Sequence, residues 1–205
     1  TRVAKTIGKG IIDPSIMSKE LLIAALIGTI IWVWICTHYG LPVSITHSLV
    51  GGIMGAGIIA VGFYALNYSK LIMVGLAMVV SPIVAFIGGA ILIALVSRIF
   101  FNFQPKFATN ILKKGQILST SFLSLSHGAN DAQNAMGMIT ASLLVAGYIS
   151  DFTVPFWVIA GSGFFMGIGT FFIGQKVIKT MGMKLVKMEP LHAFSADASS
   201  SIIIF

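Results

Sequence analysis

The sequence predicts an all-α membrane protein, a transmembrane helix bundle with inverted repeats. Of its 205 residues, 57% are hydrophobic and only 9% are charged, whereas about 25% of the residues of a typical soluble domain are charged. The apolar residues form runs about as long as a membrane-spanning helix. One short pattern also occurs twice in the chain. The composition therefore excludes an ordinary soluble domain.

Five apolar blocks follow one another along the chain. About 20 apolar residues cross the hydrocarbon core of a bilayer, so three of the blocks have the length of one span each. The second block opens with polar residues, and it forms with the first either two spans or one re-entrant hairpin. The fourth is too long for one straight crossing. The blocks are Leu21–Tyr39, Val43–Leu66, Leu71–Val96, Ile117–Ile149 and Phe156–Ile178.

The charges between these blocks predict the orientation. Residues 97–116 and 175–187 each carry four basic residues and no acid, whereas the linker between the last two blocks carries only Asp151. Cytoplasmic loops are enriched in Lys and Arg, so we expect both basic segments in the cytoplasm and Asp151 outside. Parity then places residues 1–19 outside, against their own mildly basic charge. The net charge of +7 follows from this topology, and we predict no nucleic-acid partner.

One pattern is repeated. Val3–Gly8 (VAKTIG) matches Val177–Gly182 (VIKTMG), and an acid–proline pair follows each copy, at Asp13–Pro14 and Glu189–Pro190. One copy precedes a membrane block from the outside and the other from the inside. This relation indicates a duplication with inverted topology.

The repeat suggests a division of the chain. We assign residues 1–96 to the rear part of a first inverted repeat, a hairpin plus a transmembrane helix. Residues 97–116 are then a cytoplasmic basic loop, and residues 117–205 are the front part of a second repeat. The chain begins without methionine and ends within an apolar run, so we expect it to be a window on a larger chain.

The segment Gly40–Ser48 (GLPVSITHS) is the first candidate site. Gly40 and Pro42 are expected to end one helix, and a hydroxyl residue to cap the next. A helix start offers unpaired N–H groups and a positive dipole end, which suit an anion. The alternative is an ordinary surface loop, although the segment has little charge on either side. The candidate ligands are Ser44, Thr46 and His47.

The second candidate site is His127–Asn134 (HGANDAQN), inside an apolar block. Asn130, Asp131 and Asn134 are three or four residues apart, so they share a helical face. Their oxygens suit a hard cation such as Na⁺, and amide N–H₂ groups can donate to an oxyanion. Non-helical backbone at this depth would line a cavity, so we predict a broken helix here. The alternative is a polar contact that fixes helix packing.

Other features suggest smaller roles. Asp197 is predicted to cap a helix in its first turn, with an ion site as the alternative. We expect glycines of the second and fifth blocks to allow close helix contact. No nucleotide loop, nucleophile–base pair or convincing metal motif is present, so we predict no enzyme and no cofactor. The glycines are Gly51, Gly52, Gly55, Gly57, Gly161, Gly163 and Gly167.

These motifs resemble the inorganic phosphate transporter (PiT) family of Na⁺- or H⁺-coupled permeases. That family carries G-A-N-D-x-x-N and G-L-P-V-S-T-T-H in each half. The chain has Gly128–Asn134 (GANDAQN) and Gly40–His47 (GLPVSITH), and Phe194–Asp197 (FSAD) also looks like the second half of the family. Ile45 and Gln133 depart from the pattern, since they replace a threonine and a small residue. A larger departure is that each motif occurs once in this sequence, so one copy of each is absent.

The resemblance implies a secondary transporter that takes up inorganic phosphate with Na⁺ or H⁺, Na⁺ being favoured. It implies a multi-pass protein of the plasma membrane, with Pro42–His47 at the tip of a re-entrant helical hairpin. A homo-oligomer stays open, as do a sulfate or other oxyanion permease of the same fold and an anion channel. The expected phosphate ligands are Ser44, Thr46, His47, Asn130 and Asn134, and the expected cation ligands are Asp131, Asn130, Asn134 and Ser44.

Overall fold

The computed structural model describes residues 2–185 and 189–204. Within these ranges the chain forms an all-α structure, as the sequence predicts. Short 3₁₀ turns and a π-helical turn accompany the α-helices, and an isolated bridge joins Ile12 and Leu66. The helices are α1 (Arg2–Lys9), α2 (Lys19–His38), α3 (Ile45–Val61), α4 (Tyr68–Phe100), α5 (Pro105–Val145), α6 (Phe156–Ile173), α7 (Gln175–Lys179) and α8 (Pro190–Ile204).

Two of these helices are long and apolar enough to cross a membrane. They are α2, with 20 residues, and α4, with 33, and both match predicted spans. The segments Phe156–Phe172 and Gln175–Gly182 meet the same criterion only as a pair bent by 52°. The predicted span at Phe156–Ile178 is therefore interrupted at Gly174. The α3 helix is apolar but has only 17 residues.

Residues 97–116 do not form the predicted loop. The α4 helix continues to Phe100 and α5 begins at Pro105, so only residues 101–104 lie between helices. Proline suits the first helical turn because its missing N–H is not needed there, and good helix formers follow it. The prediction was wrong because basic side chains can also lie on exposed turns of a helix. Their cytoplasmic side stays a prediction, and Lys187 of the second basic segment lies outside the described residues.

The chain folds into two compact units. The first contains the described residues up to Val74 together with Gly128–Met181, and the second contains Gly75–His127 together with the described residues from Gly182 onward. The boundaries of these units fall inside α4 and α5. The division into repeat halves and their inverted relation stay predictions.

The first unit has a hydrophobic core to which α1, α2, α3 and α5 all contribute. Ile7, Leu22, Ile53 and Met138 are among its fully buried side chains. Between helices in a membrane, such contacts stabilise mainly by van der Waals packing, because lipid tails are as apolar as the side chains. Close fit therefore matters more here than apolar area.

The close fit is clearest where α1 crosses α5. A Cβ atom on Gly137 would lie 2.6 Å from the carbonyl oxygen of Ala4 and 3.1 Å from its Cα. A Cβ atom on Gly8 would in turn lie 2.6 Å from the carbonyl oxygen of Gly137. Small residues allow helix backbones to approach closely, and here two glycines do so at one crossing.

We expect Gly137→Ala to destabilise the parent chain by about 1–3 kcal/mol, the usual range for overpacking. The neighbouring atoms belong to backbone and cannot rotate away. Thermal unfolding in detergent measures the effect as a lower melting temperature. The control is Gly161→Ala, since a Cβ atom there would meet none of the described atoms within 4 Å. Equal melting temperatures for the two variants would contradict the close crossing.

The role predicted for Asp197, which lies in the second unit, is wrong. This residue lies well inside α8, which begins at Pro190, so it cannot cap the first turn. Its carboxylate instead accepts a hydrogen bond from the Thr120 hydroxyl of α5. The Ser201 hydroxyl also lies 3.5 Å from the Ser119 carbonyl oxygen. Asp197 therefore joins two helices.

Candidate functional site

The turn between α2 and α3 begins with a left-handed glycine. Gly40 has φ +69°, a conformation that costs a residue with a side chain. The Leu41 N–H donates to the Cys36 carbonyl at 2.8 Å and the Gly40 N–H to the Thr37 carbonyl at 3.0 Å. This pair of hydrogen bonds is a Schellman motif. The predicted helix stop at Gly40 is confirmed.

The start of α3 is capped as the sequence suggests. Ser44 is the N-cap, and its Oγ accepts a hydrogen bond of 3.3 Å from the His47 N–H. The Ser48 hydroxyl donates to the Ser44 carbonyl at 2.7 Å. The cap fixes where the positive end of the α3 dipole lies. The first turn of α3 is thus suited to a negatively charged ligand.

A hydroxyl that the sequence analysis did not single out holds α2 and α3 together. Thr29 is buried, and its Oγ1 donates to the Ala25 carbonyl at 2.7 Å and lies 3.4 Å from the Ser48 carbonyl. Directly opposite, a Cβ atom on Gly52 would lie 2.6 Å from the Ala25 carbonyl oxygen. The spacing Ala25-x-x-x-Thr29 was the available signal, since small and hydroxyl residues four apart are typical of close helix contacts.

The glycines of α3 divide into two groups. Gly52 and Gly57 face close neighbours, Gly57 through the side chain of Ile12. A Cβ atom on Gly51 or Gly55 would meet none of the described atoms within 4 Å. The predicted close helix contact is therefore confirmed for Gly52, which faces α2, whereas Gly57 packs against a residue outside the helices. For the other two, as for Gly161, Gly163 and Gly167, the described part of the chain shows no such neighbour.

The HGANDAQN segment is helical throughout and lies inside the 41-residue helix α5. The predicted break in the helix is therefore wrong. A continuous helix satisfies its own backbone N–H and C=O groups even at bilayer depth, so only the side chains need partners. Gly128 costs about 1 kcal/mol in a helix interior, which the length of α5 tolerates.

One hydrogen bond joins the two predicted motifs. The Asn134 Nδ2 of α5 donates to the Thr46 Oγ1 of α3 at 2.8 Å, across 88 residues of sequence. Asn134 is only 1% exposed. Its Oδ1 is buried and has no hydrogen-bond partner among the described residues. Both residues belong to the first unit, and together they present one unpaired amide oxygen in its interior.

Asn130 and Asp131 precede Asn134 on the same helix by about one turn. Both side chains are partly buried. The Asp131 side chain is therefore not fully enclosed by protein. Residues three and four apart are neighbours on a helix surface, which places both beside Asn134. In the described ranges no three His, Cys, Asp or Glu side chains are grouped to hold a metal ion. A cation here would therefore be held by the single Asp131 carboxylate together with amide and hydroxyl oxygens.

Ser44 and His47 face a different space from Thr46. They line a cavity of about 580 Å³ together with Trp32, Ser48 and the glycines of the α2–α3 crossing, and Thr46 is not part of that lining. His47 is exposed. Successive residues of a helix point about 100° apart, which explains the separation. Their predicted role as ligands stays a prediction.

The span-length apolar helices α2 and α4, and the hydrogen bond that joins two polar motifs on α3 and α5, are typical of an integral membrane protein with a polar site in its interior. The chain belongs to the phosphate transporter family, whose model matches residues 1–205.

The chain is similar to proteins that are described as transporters. It is 41% identical over 208 residues to a Bacillus subtilis protein and 38% identical over 204 residues to one from Rhizobium meliloti, each described as a "Probable low-affinity inorganic phosphate transporter". These matches cover 100% and 99% of the chain but only 62% and 61% of the relatives. The chain thus spans about three fifths of the length of these relatives.

A solved structure shares the fold. The chain is similar to a protein described as "The sodium-dependent phosphate transporter", with a TM-score of 0.87 and 27% sequence identity. The match covers 100% of this chain and 70% of that one. These relatives are named as transporters, and the chain is accordingly not classed as an enzyme.

Proposed function

We propose that the parent chain is a secondary transporter that moves inorganic phosphate across the plasma membrane together with a cation, Na⁺ rather than H⁺. The observation that carries this proposal is the unpaired Oδ1 of the buried Asn134. An unsatisfied buried acceptor costs about 1–3 kcal/mol. A bound cation would remove that cost, because hard cations prefer oxygen ligands.

The second part of the proposal is the phosphate position. The first turn of α3 supplies backbone N–H groups and a positive dipole end. Thr46 lies in that turn and already contacts Asn134 at 2.8 Å. An anion held by α3 and a cation held by α5 would therefore lie side by side. The family membership and the sodium-dependent structural neighbour support phosphate and Na⁺ as the identities of the two ions.

The coupling between phosphate and the cation follows from their opposite charges and from the charge of Asp131. A phosphate placed beside the Asp131 carboxylate would be repelled unless a cation lies between them. With the cation bound, the anion is attracted instead, so each ion raises the affinity for the other. Such coupling is reciprocal by thermodynamic necessity. Neither ion then binds well alone, which is the requirement for symport.

The hydroxyl of Thr46 provides a direct test. We expect Thr46→Val to raise the concentrations of phosphate and Na⁺ needed for half-maximal uptake about tenfold, because loss of a buried hydrogen bond costs about 1–1.5 kcal/mol. Thr46→Ser keeps a hydroxyl and should stay near the wild type. The measurement is radiolabelled phosphate uptake by the parent chain in liposomes, with and without a Na⁺ gradient.

Thr170→Val is the matched control. The Thr170 hydroxyl donates at 2.9 Å to the Met166 carbonyl of its own helix α6, so its removal should leave both concentrations unchanged. Equal behaviour of Thr46→Val and Thr170→Val would contradict the proposed site. Full competition by sulfate would favour an oxyanion permease, and uptake that never concentrates phosphate would favour a channel.

A further inference from the structure

The first unit contains another cavity, of about 720 Å³, that the proposed transport site does not use. Its volume falls within the range of roughly 300–1,000 Å³ typical of small-molecule sites. The walls come from α2, the first residue of α3, and the α6–α7 region. Ile30, Val33 and Phe172 give it a largely apolar surface. Such a surface suits a hydrocarbon chain.

A lysine and two stacked ring side chains also line the cavity. Lys176 of α7 lines the cavity together with Trp34 and His38 of α2. The rings of Trp34 and His38 are stacked, with their centroids 5.5 Å apart. None of the described residues that line the cavity is acidic. Trp side chains favour the membrane–water interface, and Lys176 belongs to the basic segment predicted to be cytoplasmic.

We propose that this cavity binds an anionic phospholipid. An acyl chain lies along the wall formed by Ile30, Val33 and Phe172, and the phosphate of the head group pairs with the Lys176 ammonium. Basic pockets between membrane helices bind anionic head groups, and basic residues near the surface attract anionic lipids. A free anion would not need the apolar wall. A lipid without net charge, such as phosphatidylcholine, would also bring a cationic choline group near the Lys176 ammonium, so an anionic head group is favoured.

Trp34 makes the proposal measurable, since bromine atoms on a lipid chain quench tryptophan fluorescence by contact. The parent chain is placed in phosphatidylcholine nanodiscs that contain a minor share of brominated phosphatidylglycerol or the same share of brominated phosphatidylcholine. We expect stronger quenching by the anionic lipid. The excess should vanish in Trp34→Phe, and it should survive addition of inorganic phosphate.

The charge is tested with a matched pair of variants on one helix. Lys176→Gln should weaken the preference for phosphatidylglycerol about fivefold, the usual effect of one basic residue near an anionic lipid. Lys179→Gln removes the same charge from a position outside the cavity lining and should preserve the preference.

The proposal is overturned by equal quenching from both lipids, by equal effects of the two variants, or by displacement with inorganic phosphate. Absence of any Trp34 quenching would also overturn it, because other parts of the parent chain would then cover the cavity. The experiment measures no transport, so it stands apart from the proposed function.

Discussion

Asp131→Asn is expected to lower phosphate uptake on the order of a hundredfold and to weaken its dependence on the cation at the same time. The substitution keeps the size of the side chain and an oxygen that can still coordinate a cation. It removes the negative charge that would attract the cation beside Asn134. Phosphate would then meet a site in which the neighbouring cation is bound more weakly.

The expected size follows from electrostatics. Two unit charges 4 Å apart interact by about 4 kcal/mol at an effective dielectric constant of 20. The remaining amide oxygen and the Asn134 Oδ1 keep part of the cation affinity. A net loss of about 2.7 kcal/mol corresponds to a hundredfold change. The loss should appear in the half-saturating Na⁺ concentration and in the phosphate uptake rate together, because each ion supports the other.

Uptake by liposomes that contain the parent chain, measured over a range of Na⁺ gradients, shows whether this holds. The control is Asp151→Asn, the same change at an exposed acid between α5 and α6, which should transport like the wild type. Full cation-coupled uptake by Asp131→Asn would remove Asp131 from the coupling step and leave the Thr46–Asn134 contact as a packing interaction.

Local features of the fold were predictable from sequence. The stop at Gly40 and the cap at Ser44 depend on backbone conformation and on one side-chain hydrogen bond to the nearby His47 N–H, so the residue types suffice to predict them. The apolar spans that became α2 and α4 could also be predicted, because the bilayer thickness sets the minimum length of a span. The loop predicted at residues 97–116 was wrong because charge alone does not distinguish a loop from an exposed helical turn.

Pairings between distant residues could not be predicted in the same way. The sequence indicated that Thr46 and Asn134 both carry binding chemistry, but their contact depends on how α3 packs against α5 across 88 residues. The break predicted in α5 was wrong because polar side chains can find partners while the helix satisfies its own backbone groups. The bond from Thr120 to Asp197 likewise joins residues that no local pattern connects.

Gly52→Ala is expected to damage both stability and uptake, because it acts on the crossing that positions the whole first turn of α3. The new Cβ atom would lie 2.6 Å from the Ala25 carbonyl oxygen and would overlap the Thr29 hydroxyl. Backbone cannot yield without moving a helix, so α3 must shift away from α2. We expect a loss of about 1–3 kcal/mol of stability, together with weaker phosphate binding as Thr46 moves relative to Asn134.

The neighbouring glycine separates this effect from helix propensity. Gly51→Ala adds the same methyl group one residue earlier, where a Cβ atom would meet none of the described atoms within 4 Å. Both variants gain about 1 kcal/mol from replacing glycine in a helix interior, so the difference between their melting temperatures in detergent reports the crossing alone. Gly51→Ala should match or exceed the wild type in stability, and Gly52→Ala should fall below it and show the higher half-saturating phosphate concentration. If the two variants lose stability equally, the α2–α3 crossing does not depend on Gly52, and the position of Thr46 must be fixed by its contact with α5 instead.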